Sequence, residues 1–492
     1  MGDSRDSDYA HLARAMRQAH RAWAQISLDE RARILGGVAD DLAAAADALV
    51  TVVTEETGKL VTEAWFSEVV GTTDVIPWWN GPGRKHLQAR RVPMSSLKFP
   101  GKRAVLRQEP RGLIGLITPW NYPVALPLRS LVPALLAGNA VLFKPSEVTP
   151  RSGSMLASIF NRHLPGGILA IAQGGADVGR AVVDVSDHVI FTGGVAAGRE
   201  VSMRCAEQLK TVSLELGGKD AAIVLKDCDV ARTAQGIFWG AMTNSGQNCA
   251  SIERVYVEQP VHDALVQRLC ALAASTPLAP VATPEQEALV RRHLEDARDR
   301  GANLHGEYPG ATIVTHVPED ALILREETFG PACPVVAVKD ADDALRRANQ
   351  SRFGLTTSIW TRDQARARRL ARAADSGVVT INNVGFTAAL PFVPWSGRRH
   401  SGHGTTNSPQ SLYGLIQSKL IVEDTSSAPE PWWFPLGDEA LALARETLRW
   451  LMASVVRKMI MLPGVMLAQR RRSKAQAKAL KRLHSGMRSE TD

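Results

Sequence analysis

Cysteine is scarce. Cys205, Cys228, Cys249, Cys270 and Cys333 are the only five in 492 residues, odd in number, scattered, and without a C-x-x-C spacing. This excludes a disulfide framework and a structural zinc site, and it points to a reducing, cytoplasmic setting. Membrane-spanning runs are lacking as well. In the C-terminal region the longest uncharged stretch, Met459 to Gln469, contains Pro463 and falls well short of the ~20 residues that cross a bilayer. The start, M-G-D-S-R-D-S-D-Y, has no apolar core for a secretory signal, and Asp6 breaks the myristoylation pattern. Excess positive charge is absent from most of the chain. The formal net charge is +8, yet eleven Lys and Arg lie from Arg449 onward against only Glu490 and Asp492. The rest is therefore close to neutral, and nucleic acid is not an expected partner.

What remains is an ordinary globular composition, 45% apolar and 22% charged, long enough for two or three domains. Residues 8 to 65 are rich in Ala, Leu, Arg and Glu at helical spacing, as in Leu35, Val38, Leu42 and Ala45, and read as a covering helical layer without nameable chemistry. From Leu113 the pattern turns to apolar strand, turn and helix in repetition. Strands are expected at Leu113 to Thr118, Ala140 to Phe143, Leu169 to Ala172 and His188 to Thr192, with a helix over Leu126 to Ala137. After Gly218 a second set follows: Ala221 to Leu225, Val255 to Glu258, Pro334 to Val338, Thr357 to Thr361 and Val378 to Asn382. Both sets read as doubly wound α/β sheets, which bind ligands beyond the carboxyl ends of their strands.

The most informative run is T-N-S-G-Q-N-C-A-S-I-E, Thr243 to Glu253, where Cys249 among small and amide residues reads as a nucleophile exposed at a loop tip. Upstream, Glu215 ends an apolar run in L-E-L-G-G-K, and Asn121 follows another in P-W-N-Y-P. With F-K-P-S-E, F-T-G-G, E-E-T-F-G-P and P-W-S-G-R-R-H-S-G-H-G, these motifs occur in order over roughly residues 10 to 424. In this ordered set the chain resembles the NAD(P)-dependent aldehyde dehydrogenase superfamily.

The resemblance implies that Cys249 attacks an aldehyde, that Asn121 and the Cys249 backbone N–H hold the oxyanion, and that Glu215 activates water to release the acid. For the cofactor it implies Thr118, Trp120, Lys144, Ser146, Glu147, Gly175, Phe191, Gly193, Gly194, Leu216, Glu327 and Phe329. The Glu147 carboxylate would repel a 2′-phosphate, so NAD is favoured over NADP. Neither Gly174-Gly175 nor Gly193-Gly194 gives G-x-G-x-x-G, and Gly194 stands where many relatives have Ser. Many relatives carry a proton-relaying Lys where Ser130 stands here. Beside it, Arg129 reads either as an exposed helix charge or as a tunnel-facing cation for an acidic substrate. Tyr122, Leu126, Trp239 and Thr243 are candidate pocket walls. His400 and His403 lack a nearby third ligand, so no catalytic metal is expected.

The expected division is residues 1–92 and 110–217 for NAD binding, 218–405 for the thiol domain, and 93–109 with 406–424 for an oligomerisation arm supporting a homodimer or homotetramer. A basic extension spans 425–492. Its aromatic cluster Trp432, Trp433 and Phe434, the stripe Leu441, Ala444, Leu448, Leu451, Met452 and Val455, and the cations Arg470 to Arg482 suit either a membrane surface met by residues 430–482, at the inner face of a membrane, or the protein's own body. The last twenty residues read as disordered. Two other functions compete: a semialdehyde-specific or coenzyme-A-acylating relative, and a membrane-associated scaffold without turnover.

Overall fold

The computed structural model describes residues 2–96 and 99–488; positions 97, 98 and 489–492, which fall in the expected arm and extension, lie outside the described residues. The chain forms two compact units, one holding the segment up to Arg90 with Arg107–Lys419, the other Arg91–Leu106 with everything from Leu420 on.

In the first unit, two α/β sheets carry the candidate residues. The first runs in the order Gly402–His403, Thr211–Leu216, His188–Gly193, Leu113–Ile117, Ala140–Lys144 and Leu169–Ile171, all parallel except the short edge strand at Gly402. Strands that are buried on both faces are nearly all apolar: every residue of Leu113–Ile117 and Ala140–Lys144 is buried. From Leu113–Ile117 the chain goes first to one side and later to the other. The crevice at this switch lies between the Thr118–Asn121 turn and Gly193.

The second sheet runs Asn303–His305, Thr312–Thr315, Ala332–Val338, Ile252–Glu258, Asp220–Val224, Thr356–Trp360 and Val378–Ile381, with only the Asn303–His305 edge antiparallel. Both sheets thus follow the periodicity of the sequence, with strand limits moved by one to three residues. A separate three-stranded sheet pairs Arg90–Val92, Lys102–Pro110 and Ile416–Asp424 in that order.

The N-terminal helices are a cover with a purpose. Leu28–Ala44 starts at an N-cap, where Ser27 Oγ accepts from the Glu30 backbone N–H at 3.2 Å, and it buries Leu35 and Val38 completely. Trp23, also buried, donates its indole N–H to the Leu135 carbonyl at 3.1 Å, which locks this layer onto Ala125–Leu136. Each such side chain contributes about 1.5–3 kcal/mol of burial.

In the second unit the extension is a helical hairpin, Asp438–Met452 and Val455–Arg488. The expectation of disorder over the last twenty residues is corrected as far as Arg488, where the second helix ends; its last four positions lie outside the described residues. The reason is local: Arg472 donates to the Pro431 and Trp433 carbonyls at 2.8 and 2.6 Å, and Gln476 donates to those of Glu430 and Trp433, so the basic stretch is fastened along one side.

Candidate active site

Cys249 is reached through a tightly wound loop. After the helix Val230–Met242, Asn244, Ser245 and Gly246 adopt φ of 54°, 53° and 73° in succession. Two left-handed non-glycine residues in a row are costly and persist only when their surroundings hold them. Here the Asn244 amide donates to the Asn121 and Gln247 carbonyls at 3.1 and 3.0 Å, Gln247 returns a bond to the Asn244 carbonyl, and Ser245 donates to Ala279. Gly246 has no alternative, because a Cβ there would lie 2.1 Å from the Gly330 carbonyl oxygen. The thiol is therefore half-buried at the floor of a cleft, and the expected exposed loop tip is corrected.

Asn121 follows the strand Leu113–Ile117 and is 2% exposed. One Nδ2 hydrogen goes at 3.1 Å to the carbonyl of Gln247, two residues before the thiol, which fixes the Asn121 amide plane; the second has no acceptor among the described residues. Its own carbonyl accepts from Lys59 Nζ at 2.9 Å. Lys59 in turn pairs with Glu68 at 2.6 Å, both side chains being essentially inaccessible, and lies 4.1 Å from the Tyr122 ring centre. The second Glu68 oxygen accepts from the Val124 and Ala125 N–H groups at 3.1 and 2.9 Å, at the N-terminus of Ala125–Leu136. The stretch from 8 to 65 was expected to carry no chemistry. Lys59 corrects that: it braces Asn121, and no sequence pattern announces a lysine buried by its own counterion.

Glu215 ends the strand Thr211–Leu216 and accepts from the Thr406 backbone N–H at 3.2 Å. Burial raises its pKa to about 8, the Thr406 bonds and Arg129 working in the opposite direction. The glycine after Leu216 is a matter of space: a Cβ on Gly217 would stand 2.2 Å from Glu327 Oε2. Glu327 itself accepts from Gly218 N–H at 2.9 Å, and burial with the Glu253 charge raises it to about 8. Four residues after the thiol, Glu253 accepts from the Thr328 and Phe329 N–H groups, both at 2.8 Å, and pairs with buried Lys219. That grip holds Phe329 at φ 50°, its ring edge-on to Trp120 at 5.7 Å.

Cys249, Asn121 and Glu215 line one cavity of about 220 Å³ together with Trp120, Gly193, Gly194, Leu216, Glu327 and Phe329. A second cavity of about 230 Å³ is lined by Thr118, Lys144, Ser146, Glu147, Phe191 and Gly193. The two share Pro119, Thr192 and Gly193, so they form one groove over the start of the helix Val195–Glu207. Gly175 lines neither. The groove suits a dinucleotide: Lys144 and Glu147, 3.2 Å apart, offer a cation and a carboxylate to a diol, and a Cβ on Gly194 would meet nothing within 4 Å, so the floor is open at a helix N-terminus. Gln286 and Leu289, unforeseen from sequence, complete the thiol end; they sit on a helix whose spacing reads as an ordinary solvated face.

On the other side of Cys249 a larger cavity of about 580 Å³ opens, lined among others by Phe66, Tyr122, Leu126, Trp239, Thr243 and Phe386. Arg129 also lines it. It is not an exposed helix charge; its Nε is buried, and among the described residues the guanidinium has no hydrogen bond or ion pair. Burial pushes the Cys249 thiol up to about 12, Asp220, Glu327 and Glu215 add to this, and Arg129 is the cation that opposes it. Ser130 is buried beside it in the helix. His400 packs edge-on against Phe353 at 6.5 Å, while His403 lies in the edge strand opposite Leu214.

Comparisons with known proteins agree with this geometry. The model of the aldehyde dehydrogenase family matches residues 1–421. A 4,4′-diapolycopene aldehyde oxidase of Methylomonas sp is 33% identical over 436 residues, spanning 85% of this chain and 82% of the relative. A betaine aldehyde dehydrogenase of Agrobacterium fabrum is 32% identical over 451 residues, spanning 86% and 90%. The NAD+ complex of an aldehyde dehydrogenase from Bacillus cereus superposes with a TM-score of 0.80 at 27% identity, covering 86% of this chain and 89% of that one. With a thiol, an amide and a carboxylate brought together beside a dinucleotide-sized groove, the chain belongs to the aldehyde dehydrogenase family.

Proposed function

We propose that this member of the family oxidises a neutral, largely apolar aldehyde to the free acid with NAD, through a thioester on Cys249 that water hydrolyses. The observation that carries the reading is the convergence of Cys249, Asn121 and Glu215 on one cavity from three distant parts of the chain. Lys144, Glu147, Gly193, Gly194, Glu327 and Phe329 are the residues that would hold the dinucleotide. When bound, NAD+ accepts the hydride and brings a positive ring near the thiol. Glu147, and the pairing of Arg180 with Glu200 at 3.2 Å in the same cavity, leave little to attract a 2′-phosphate, which supports NAD over NADP.

The Cys249 thiolate attacks the carbonyl carbon, forming the C–S bond and an oxyanion. The free Asn121 N–H and the Cys249 backbone N–H receive that charge; one such donor typically contributes ~10²- to 10³-fold in rate. Arg129 opposes the burial that disfavours the thiolate. Once the thioester has formed, Glu215 removes a proton from water as its oxygen attacks, the C–S bond breaks, and the thiolate is restored. A carboxylate in this position favours hydrolysis over transfer to coenzyme A.

Three exposed aromatics, Phe66, Trp239 and Phe386, surround the approach to Cys249 and favour an apolar aldehyde. The name of the Methylomonas relative agrees. Arg129 disfavours a cationic one such as betaine aldehyde. The same unpaired guanidinium favours one second reading, an aldehyde bearing a remote carboxylate. A panel of aldehydes from two to sixteen carbons, with and without a terminal carboxylate, tested with NAD, NADP and added coenzyme A, separates these. Turnover falling with chain length would sink the first reading, and stimulation by coenzyme A would sink hydrolysis. Inertness towards the whole panel would restore the scaffold.

The division into cofactor, thiol and arm segments, and a dimer or tetramer built on the arm, belong to the same reading; light scattering on the pure protein tests the latter. A monomer at working concentration would refute it.

A further inference from the structure

The helical hairpin that follows Asp424 has almost no core of its own. Among its described large apolar side chains only Leu443 and Trp450 are buried. By contrast Phe434, Met452, Val455, Met459 and Ile460 are 65 to 81% exposed, and Trp432 and Trp433 are more than half exposed. These aromatics are held outward by polar bonds. Arg472 and Gln476, 2% and 1% exposed, spend their donors on the carbonyls of Glu430, Pro431 and Trp433, so the aromatic run is fixed beside the second helix without burying its rings. The turn is likewise fastened, by Trp450 Nε1 to the Lys458 carbonyl at 2.9 Å.

The charges beside this apolar face have one sign. No Asp or Glu occurs between Glu446 and Glu490, while Arg470, Arg471, Lys474, Lys478 and Lys481 are exposed along the second helix. Among the described residues no helix is long and apolar enough to cross a membrane, and Pro463 interrupts the apolar part. Aromatic and apolar side chains on a non-spanning helix, continued by cations, are the elements of a helix that lies in a bilayer surface. A second copy of the chain is the weaker occupant. Its hairpin has only Asp438, Glu439 and Glu446 to offer these cations, and Glu446 is already paired with Arg449 at 2.8 Å.

We propose that residues 431–482 form an in-plane anchor that docks the protein on an anionic lipid surface, the Trp432–Phe434 run and the Met452–Ile460 face entering the interface while Arg470, Arg471, Lys474, Lys478 and Lys481 meet the headgroups. This does not depend on the catalytic reading.

The test is flotation of the full-length protein with vesicles of phosphatidylcholine alone and of equal parts phosphatidylcholine and phosphatidylserine. The protein rises with the mixed vesicles and is released by high salt, while the neutral vesicles leave most of it behind. Met459→Glu/Ile460→Glu abolishes flotation. Lys474→Glu/Lys478→Glu weakens it by about tenfold or more. Both variants retain the oxidation rate of a short soluble aldehyde, which shows that they fold. The proposal is overturned if the parent floats with neither vesicle, if it floats equally with both, or if its flotation survives the Met459/Ile460 change. It also fails if that change instead converts a dimer to a monomer, which would give the face to a second copy.

Discussion

Replacing Lys59 by Met removes the cation that braces Asn121 and leaves Glu68, whose side chain is 1% exposed, without its counterion. Breaking a buried pair from one side generally costs about 3–5 kcal/mol. Here the Glu68 carboxylate keeps the Val124 and Ala125 N–H groups at a helix start, so the lower end, about 3 kcal/mol, is expected. Lys59→Met/Glu68→Gln removes the stranded charge and recovers most of that loss, because an amide of the same shape still reaches one of the two N–H groups. Activity separates from stability in this pair. Both variants lose the Lys59 bond to the Asn121 carbonyl, so both show kcat lowered by roughly tenfold or more, a fraction of what deleting an oxyanion donor outright costs. In a chain of this size unfolding is best followed as thermal inactivation half-life beside steady-state kinetics. A single variant as stable as the parent, or a double variant no more stable than the single, would refute the bracing argument. So would full kcat in either.

The remaining predictions concern charge in the site. In the proposed mechanism Glu215 acts as its carboxylate, and with its pKa raised to about 8 that form is the minority at neutral pH. Hydrolysis of the acyl-enzyme, followed by rapid mixing, rises about tenfold per pH unit below that value and levels off above it, and Glu215→Gln flattens the profile. Arg129→Leu removes the cation that opposes the high Cys249 pKa, so alkylation by iodoacetamide at a fixed pH slows; an unchanged rate would place the guanidinium too far from the sulfur to matter. Glu147→Gln relieves repulsion of a 2′-phosphate, and kcat/KM with NADP relative to NAD rises by roughly tenfold; no change would remove Glu147 from the ribose site.

Local pattern carried much of the architecture. Unbroken apolar runs such as Leu113–Ile117 and Ala140–Lys144 are legible because strands covered on both faces must be apolar throughout. The reversal of strand order at Leu113–Ile117, with all its neighbours still parallel, is what gave Thr118 to Asn121 and Gly193 their place in a crevice. What sequence could not disclose were polar groups whose meaning depends on a distant partner. Lys59 looks like any lysine at the end of a helix, and only its bonds to Glu68 and Asn121 give it a role. Arg129 is indistinguishable from a solvated helix charge until the helix turns it towards the thiol cavity. The tail misled in the other direction: a polar, cationic composition suggests disorder, and two side chains bonding back to the 430–433 backbone were enough to overrule it.

The grip of Glu253 on the Thr328 and Phe329 backbone ties the peptide that bears the reactive sulfur to the peptide that bears Glu327. The two therefore travel as one body. Remodelling this protein for a bulkier substrate by shifting the 243–249 segment would drag the Glu327–Phe329 end of the groove, the proposed nicotinamide site, with it. Reshaping from the Phe66, Trp239 and Phe386 side leaves that coupling untouched, and it is the route by which substrate range can change while cofactor geometry stays fixed.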